Sequence, residues 1–428
     1  MEQLIIEGGQ KLHGRVKISG SKNAALAILA AAIMTKERVK LHNLPNITDV
    51  RVLIAILEDL GASIRRRGRN SIELRSPGLR SYSPPYDMVK KLRASYYLMG
   101  SLLARFGRAE VPIPGGCDFG PRPIDQHLKG FSALGTDIEI EHGLVKLRAE
   151  KLKAAHIYLD VVSVGATINL MLAATAAEGQ TTIENASKEP EIVDAANFLS
   201  AMGASIKGAG TDVIRIKGGR PLFSANHTII PDRIEAGSFM IAAVATDGEI
   251  VIEEVIPKHL EAVAAKLREA GAEIELQADR VRVKRGPQLL PVDIKTFVYP
   301  GFPTDLQPLA MTLLTAAEGT SVITENVFES RFHHVDELKR MGAQIKVEGR
   351  TAIIEGGPPL TGAPVKATDL RAGAAMLVGG FMGQGRTILS GVGQIYRGYE
   401  DIEAKLTRLG ARLKRIRSSF PALPGESS

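Results

Sequence analysis

The sequence predicts an α/β protein of two hinged domains with a cleft between them, each domain built from three repeats. Three observations predict it. An amphipathic helix ending in an apolar residue, then Gly-Ala or Gly-Thr, then a short alternating strand, recurs six times. The six sites are Leu60-Gly61-Ala62, Leu134-Gly135-Thr136, Met202-Gly203-Ala204, Ala270-Gly271-Ala272, Met341-Gly342-Ala343 and Leu409-Gly410-Ala411. The glycines stand 68 to 74 residues apart, and each suits the left-handed position that ends a helix. Upstream of each lies an earlier helix end followed by a strand. Glu178-Gly179, Asp247-Gly248, Glu318-Gly319 and Gln384-Gly385 are the clear cases; Phe106-Gly107 and Thr35-Lys36 are weaker. Thirdly, units close on strands such as Ile214-Arg215-Ile216-Lys217-Gly218-Gly219 and Ile353-Ile354-Glu355-Gly356-Gly357. The same pattern, Leu4-Ile5-Ile6-Glu7-Gly8-Gly9, opens the chain and is missing after Ile416. A unit of this length exceeds a solenoid repeat and suffices for a small α/β layer.

Taken in order, the first twenty residues are expected to complete the sixth repeat. First helices start at Ser21-Lys22-Asn23, Leu92-Arg93-Ala94, Ser163-Val164-Gly165, Asp232-Arg233-Ile234, Pro303-Thr304-Asp305 and Asp369-Leu370-Arg371. Second helices start near Arg122-Pro123-Ile124-Asp125, Glu189-Pro190-Glu191, Arg331 and Arg397. With three repeats per domain the chain crosses near Gly20 and Ile230. One domain is then 21–229, carrying the Cys117 loop. The other is 1–20 plus 230–417, and 418–428 is expected to be a disordered tail.

Composition removes several function classes. A chain of 428 residues is too long for one ordinary core. A single cysteine excludes an internal disulfide and suits a reducing cytosol. The opening Met1-Glu2-Gln3-Leu4 does not read as a signal peptide, and the apolar run Ala24 to Met34 is too short to span a bilayer. A cytoplasmic location without membrane contact is expected. The net charge of +7 clusters at Arg65-Arg66-Arg67 and Lys414-Arg415, which read as solvated faces. No aromatic residues interleave there, so no nucleic-acid partner is expected. No Walker loop, dinucleotide glycine motif or His/Cys metal spacing occurs, and Gly218-Gly219 and Gly356-Gly357 read as strand-end turns. The oligomeric state is left open.

Chemistry is carried by the helix starts and one loop. Lys or Arg opposes the dipole at a helix N-terminus, yet Lys22, Arg93, Arg122, Arg233, Arg331, Arg371 and Arg397 repeat that choice. Such repetition points to helix ends gathered round a multiply anionic ligand. Asp305 and Asp369 read equally as helix caps or as acid–base groups. Glu189 reads as charge at a helix start, and His127, one turn into its helix, as a ligand contact or a solvent-facing side chain. Cys117 stands in the Pro- and Gly-rich loop from Val111 to Pro123, near Arg122. It reads as an exposed thiol drawn toward thiolate or as a small buried hydrophobe.

The motifs Lys22-Asn23-Ala24-Ala25, Arg93-Ala94-Ser95, Pro114-Gly115-Gly116-Cys117, Arg122-Pro123 with Asp125 and His127, and Ser163-Val164-Gly165-Ala166-Thr167 are specific. So are Pro231-Asp232-Arg233, Phe302-Pro303-Thr304-Asp305, Asp369-Leu370-Arg371-Ala372 and Arg397-Gly398-Tyr399-Glu400. Together they resemble the enolpyruvyl transferase family from Leu4 to about Leu413. The resemblance implies a two-domain inside-out α/β barrel of six βαβαββ repeats, three per domain, with the active site in the interdomain cleft. It implies transfer of the enolpyruvyl group of phosphoenolpyruvate to the 3′-hydroxyl of UDP-N-acetylglucosamine, with release of phosphate and no metal or organic cofactor.

By the same resemblance Lys22, Arg122 and Arg397 hold the phosphate of phosphoenolpyruvate, Arg371 and Arg331 hold its carboxylate side, and Asn23 orients the sugar. Cys117 supplies an acid proton and can form a covalent adduct, which makes it a target for the epoxide fosfomycin. Asp305 is the base. The nucleotide lies along Arg122, Pro123, Ile124, Asp125, Gln126 and His127, then Val161, Val162, Ser163, Val164 and Gly165, with Asp305 and Val327 at the sugar and Arg93 in support. Glu189, Arg233 and Asp369 are supporting residues. Many relatives carry lysine where this chain has Val161, so backbone N–H groups of Val164 and Gly165 are left to meet the diphosphate. The cysteine loop and the Arg122–Asp125 run argue against a shikimate 3-phosphate acceptor. A nucleotide-sugar sensor without turnover and an RNA-binding protein are the remaining alternatives.

Overall fold

The computed structural model describes residues 2–113 and 124–417. Of the expected Cys117 loop from Val111 to Pro123, Val111 and Pro112 close the strand Arg108–Pro112 instead, and residues 114–123 lie outside the described residues, as does the expected tail, 418–428. The chain divides into two compact units: residues 2–18 with 231–417, and residues 19–113 with 124–230.

All six expected helix stops form. Gly61, Gly135, Gly203, Gly271, Gly342 and Gly410 have φ between 83° and 107°, in the left-handed region that costs a glycine little. The N–H of the next residue (Ala62, Thr136, Ala204, Ala272, Ala343, Ala411) donates back to the carbonyl of Leu57, Phe131, Leu199, Leu267, Leu338 or Leu406 at 2.9–3.1 Å. That bond satisfies a carbonyl the helix leaves unpaired.

The fifth repeat shows the pattern. Ile294–Lys295 runs parallel to Gly319–Thr324, which is antiparallel to Thr351–Gly356, which in turn pairs with Gln344–Glu348. Helix Gln307–Leu314 lies between the first two strands in sequence, and His334–Arg340 follows the second. Five four-stranded sheets keep this order. In the second repeat, three strands are found among the described residues: Arg108–Pro112, Leu144–Arg148 and Asp137–Glu141. Glu110 N there donates to Tyr82 O at 2.9 Å, on a segment in the place of the parallel strand.

The N-terminus serves two sheets, a correction to the expectation that all of the first twenty residues complete the sixth repeat. Glu2–Glu7 does pair antiparallel with Arg386–Ser390 and Leu413–Arg417 of the sixth repeat. His13–Lys17 instead runs parallel to Glu249–Glu253 of the fourth. In the other unit Ala225–Thr228 does the same for Val39–His42 of the first repeat. The segment before each crossing therefore supplies the parallel edge strand of the repeat that follows the other crossing, within the same unit.

Helices form the centre of each unit. Tyr97–Phe106 packs on Lys22–Ala32 and Val164–Ala174; Arg233–Ala245, Gln307–Leu314 and Leu370–Met382 pack on one another. These helices are apolar on every side, as full burial requires, and every residue from Ala24 to Ala32 and from Leu370 to Phe381 is buried. The strands alternate instead: Val39 and Leu41 are buried beside exposed Lys40, so each sheet turns one face to the helices. Among the described residues no helix is long and apolar enough to cross a membrane.

Candidate active site

In the 231–417 unit two of the candidates, Arg331 and Arg371, converge on Asp305. It lies in the 3₁₀ turn Thr304–Leu306, whose cap position is Pro303, so Asp305 does not cap that turn. Its carboxylate is taken by two guanidinium groups. Arg331 Nη2 donates to Oδ1 at 2.7 Å, and Arg371 donates to Oδ2 from Nη2 at 2.9 Å and Nε at 3.2 Å. Both arginine side chains are 3% exposed and that of Asp305 is 26% exposed, so the carboxylate is the solvent-reachable member. Burial works against the charge on Arg371, but Asp305, Tyr399 and Asp232 more than offset it, and its pKa stands above the ordinary arginine value. The Arg371 guanidinium also lies over the Tyr399 ring, 5.3 Å from its centroid, and Tyr399 Oη is 2.7 Å from Ser238 Oγ.

Behind this clamp stands Glu325, fully buried. It accepts from Thr296 Oγ1 (2.7 Å), Thr304 Oγ1 (2.9 Å), Val327 N (2.8 Å) and Phe328 N (3.1 Å). Thr304 Oγ1 in turn accepts from Arg331 Nη1 at 2.8 Å, so Glu325 fixes both the turn that carries Asp305 and the backbone at Val327.

Of the two acidic candidates, Asp369 is the cap: its Oδ1 accepts from Arg371 N (2.7 Å) and Ala372 N (3.0 Å). Arg371 is thereby held at the second residue of its helix. Arg233 opens helix Arg233–Ala245 under an Asp232 cap and lies over the Tyr299 ring at 5.5 Å. Arg331 and Arg397 depart from the expected helix-start position. Arg331 precedes helix His334–Arg340 by three residues. Arg397 ends the 3₁₀ helix Val392–Arg397, where the dipole favours a cation, and donates to Gln394 Oε1 at 3.1 Å.

In the 19–230 unit Lys22 and Asn23 open helix Lys22–Ala32, capped by Ser21 Oγ accepting from Ala24 N. Two buried carboxylates hold them: Asp49 Oδ2 is 3.8 Å from Lys22 Nζ, and Glu191 Oε1 accepts from Asn23 Nδ2 at 3.3 Å. Glu189, also buried, accepts from Ser187 Oγ rather than capping its helix. Ser163 Oγ caps helix Val164–Ala174 by accepting from Ala166 N at 3.2 Å, which leaves the N–H groups of Val164 and Gly165 pointing off the helix start. Val162 before it is half-buried, and Val161 is 58% exposed.

Ile124 precedes helix Asp125–Ala133. Gln126 bridges to Asp160, accepting from its N at 2.9 Å and donating to its Oδ2 at 3.1 Å and to Asp125 Oδ2 at 2.9 Å. His127 is buried, which overturns the solvent-facing alternative. Its Nδ1 is 2.9 Å from Asn169 Nδ2, and Asn169 also donates to Tyr96 O and accepts from Gly100 N. The amide can only donate to that nitrogen, so the proton of the neutral ring sits on Nε2. Burial, aided by Arg93 against the pull of Asp125, drops the His127 pKa to about 4. Gly165 completes the nest: a Cβ there would lie 2.8 Å from Tyr96 Oη and 3.0 Å from His127 Cε1. Arg93 opens the 3₁₀ turn Arg93–Tyr96 alongside. Cys117, Arg122 and Pro123 lie outside the described residues.

A sequence profile of the EPSP synthase (3-phosphoshikimate 1-carboxyvinyltransferase) family matches residues 6–406. The chain belongs to this family. Among its relatives, UDP-N-acetylglucosamine 1-carboxyvinyltransferase 3 of Caldanaerobacter subterraneus subsp. tengcongensis is 54% identical over 417 residues, 97% of this chain and 100% of that one. UDP-N-acetylglucosamine 1-carboxyvinyltransferase 2 of Carboxydothermus hydrogenoformans is 55% identical over 418 residues, with 97% and 100% coverage. The solved enolpyruvyl transferase NikO from Streptomyces tendae superposes with a TM-score of 0.88 at 27% identity, over 97% of this chain and 98% of that one. EPSP synthase from Acinetobacter baumannii gives 0.75 at 20% identity over 97% and 100%, a likeness of fold alone. The two-domain enolpyruvyl transferase architecture is the architecture of this chain.

Reading this family member from sequence missed Asp49, Glu191, Asn169 and Glu325. Asp49 and Glu191 sit in the first turns of their helices, where an acid is already explained by the dipole. Glu325 follows the apolar run Val322-Ile323 and Thr324, a strand-end position that carries no signal of its own.

Proposed function

We propose that this chain moves the enolpyruvyl group of phosphoenolpyruvate to the 3′-hydroxyl of UDP-N-acetylglucosamine and releases phosphate, the committing step of peptidoglycan synthesis. The observation that carries the reading is 54–55% identity, over nearly the whole chain, to proteins named for that transfer. The Asp305 clamp supports it. A three-carbon substrate bearing a carboxylate and a phosphate needs fixed cations beside a base, and Arg331 and Arg371 are buried, charged and aimed at one carboxylate.

In the reading offered here C3 of phosphoenolpyruvate takes a proton from the Cys117 thiol, and C2 becomes open to attack. The 3′-hydroxyl oxygen bonds to C2 as its proton passes to Asp305. The resulting ketal then returns a C3 proton to the Cys117 thiolate and breaks its C2–O bond to phosphate, which leaves with the proton held by Asp305, regenerating the double bond. Lys22, Arg122 and Arg397 neutralise the phosphate as it leaves, and the first-turn N–H groups of Val164 and Gly165 meet the diphosphate where Val161 offers no charge. The chemistry calls for no organic cofactor or metal, since the enol phosphate supplies both electrophile and leaving group. An adduct of Cys117 with C2 is the one covalent species proposed. A single cysteine and two soluble metabolites as substrates support a cytoplasmic location, without nucleic-acid or membrane partners.

Phosphate release on mixing the two substrates tests the reading. We expect release that needs both, and none when shikimate 3-phosphate replaces the nucleotide sugar. Release with shikimate 3-phosphate, or silence with UDP-N-acetylglucosamine, overturns it.

A further inference from the structure

The three buried helices of the 19–230 unit carry the site candidates at their N-terminal ends. At their C-terminal ends lies a cavity of about 430 Å³, within the usual range for small-molecule pockets. Its floor is the chain that leaves those helices: Met34 and Thr35, then Ala104 and Arg105, then Thr175 and Ala176. The fourth wall, Arg220 to Phe223, is tied across to the first. Thr35 Oγ1 donates to Leu222 O at 2.8 Å, Glu37 Oε2 accepts from Ser224 N at 2.7 Å, and Phe223 N donates to Met202 O at 2.8 Å. The frame is therefore built, not a gap between loose side chains.

Its chemistry is one-sided. Lys36, Arg105 and Arg220 line it against the single carboxylate of Glu37, which already accepts a backbone N–H. Arg105 is anchored by Nη2 to Ser76 O at 2.8 Å and has no carboxylate partner among the described residues. Phe223 stands 50% exposed on the rim, where the wall hydrogen bonds fix it. Helix C-terminal carbonyls at the floor disfavour an anion there, so the charge of a ligand belongs at the rim, between Arg220 and Lys36. A flat apolar body fits below it, against Phe223 and the Met34, Ala104 and Leu222 side chains.

We propose that this cavity is a second ligand site, separate from the Lys22–Gly165 candidates, for a small aromatic carboxylate. The proposal does not depend on the transferase reading, because its test is binding. Indole-3-propionate is titrated into the full-length protein, first without and then with UDP-N-acetylglucosamine, by ligand-observed NMR, with 3-methylindole and propionate as the apolar and anionic halves. We expect saturable binding of one indole-3-propionate, weaker binding of either half, and about tenfold loss in Lys36→Glu/Arg220→Glu. Phe223→Ala, a change at an exposed ring, should weaken indole-3-propionate and 3-methylindole alike and leave basal turnover unchanged. Absence of saturable binding, equal affinity in both variants, or displacement by UDP-N-acetylglucosamine would overturn the proposal.

Discussion

Two side chains show how much a single position decides. Asp305 and Asp369 look alike in sequence, each at a helix start. Only Asp369 caps; Asp305 is lifted off the backbone by Arg331 and Arg371. Asp305→Asn keeps the shape and removes the proposed base, so turnover should fall by about a hundredfold or more; it also leaves the buried Arg331 and Arg371 short of a counter-charge, a loss of stability that a thermal melt reads separately. Steady-state phosphate release checks this, and a rate within threefold of the wild type, on the order of 0.7 kcal/mol, would remove Asp305 from the chemistry. His127 gives a pH prediction. Its folded pKa of about 4 lies below the unfolded value of about 6.5, so between those limits the unfolded chain alone binds the proton. Stability owed to His127 is complete above about pH 6.5 and is lost as the pH falls toward 4. His334, held to about 3 by burial and by Arg331, adds to the same slope. Denaturant titrations should show stability rising with pH across this window, and His127→Gln should flatten the slope by one proton. The pairing of Asp305 with residues 26 and 66 positions away was not legible, because sequence spacing carries no distance between one element and another.

At the scale of the element, glycine does two kinds of work. The six helix-ending glycines were legible because a left-handed φ is a local requirement, met by one residue type. Gly165 was not legible as a packing position. Nothing local demands glycine at the second residue of a helix; Tyr96 and His127, arriving from other elements, demand it. Gly165→Ala should push one of them aside at a cost of about 1–3 kcal/mol. Because the displaced groups surround the helix start proposed to meet the diphosphate, affinity for UDP-N-acetylglucosamine should drop about tenfold. Calorimetric titration measures it, and unchanged affinity would show that this helix start does not meet the nucleotide. Alanine-rich helices such as Lys22–Ala32 were visible as apolar runs. Their burial on every side follows from that composition, since no polar stripe is left for water.

For the whole molecule, the decisive feature is closure by borrowed strands. Glu2–Glu7 fills the third place in the sixth sheet, with Leu4 and Ile6 fully buried and Ile6 against Gly380 of the central helix. Ile6→Ala should cost about 2–5 kcal/mol, as deep in a core, although it lies six residues from the chain start. A thermal melt of the variant checks it, and an unchanged midpoint would mean that this strand is dispensable. The sequence alone determined the six-part repeat, the α/β class and the family, because helix stops, strand alternation and short motifs are local and each repeat restates them. The tertiary structure alone decided that His13–Lys17 joins the fourth sheet, that Asp305 rather than Asp369 is clamped, and that Glu325, Asp49 and Glu191 stand behind the site candidates. Those are pairings between residues far apart in the chain, and they exist only once buried helices and covering sheets have fixed which charges meet away from water.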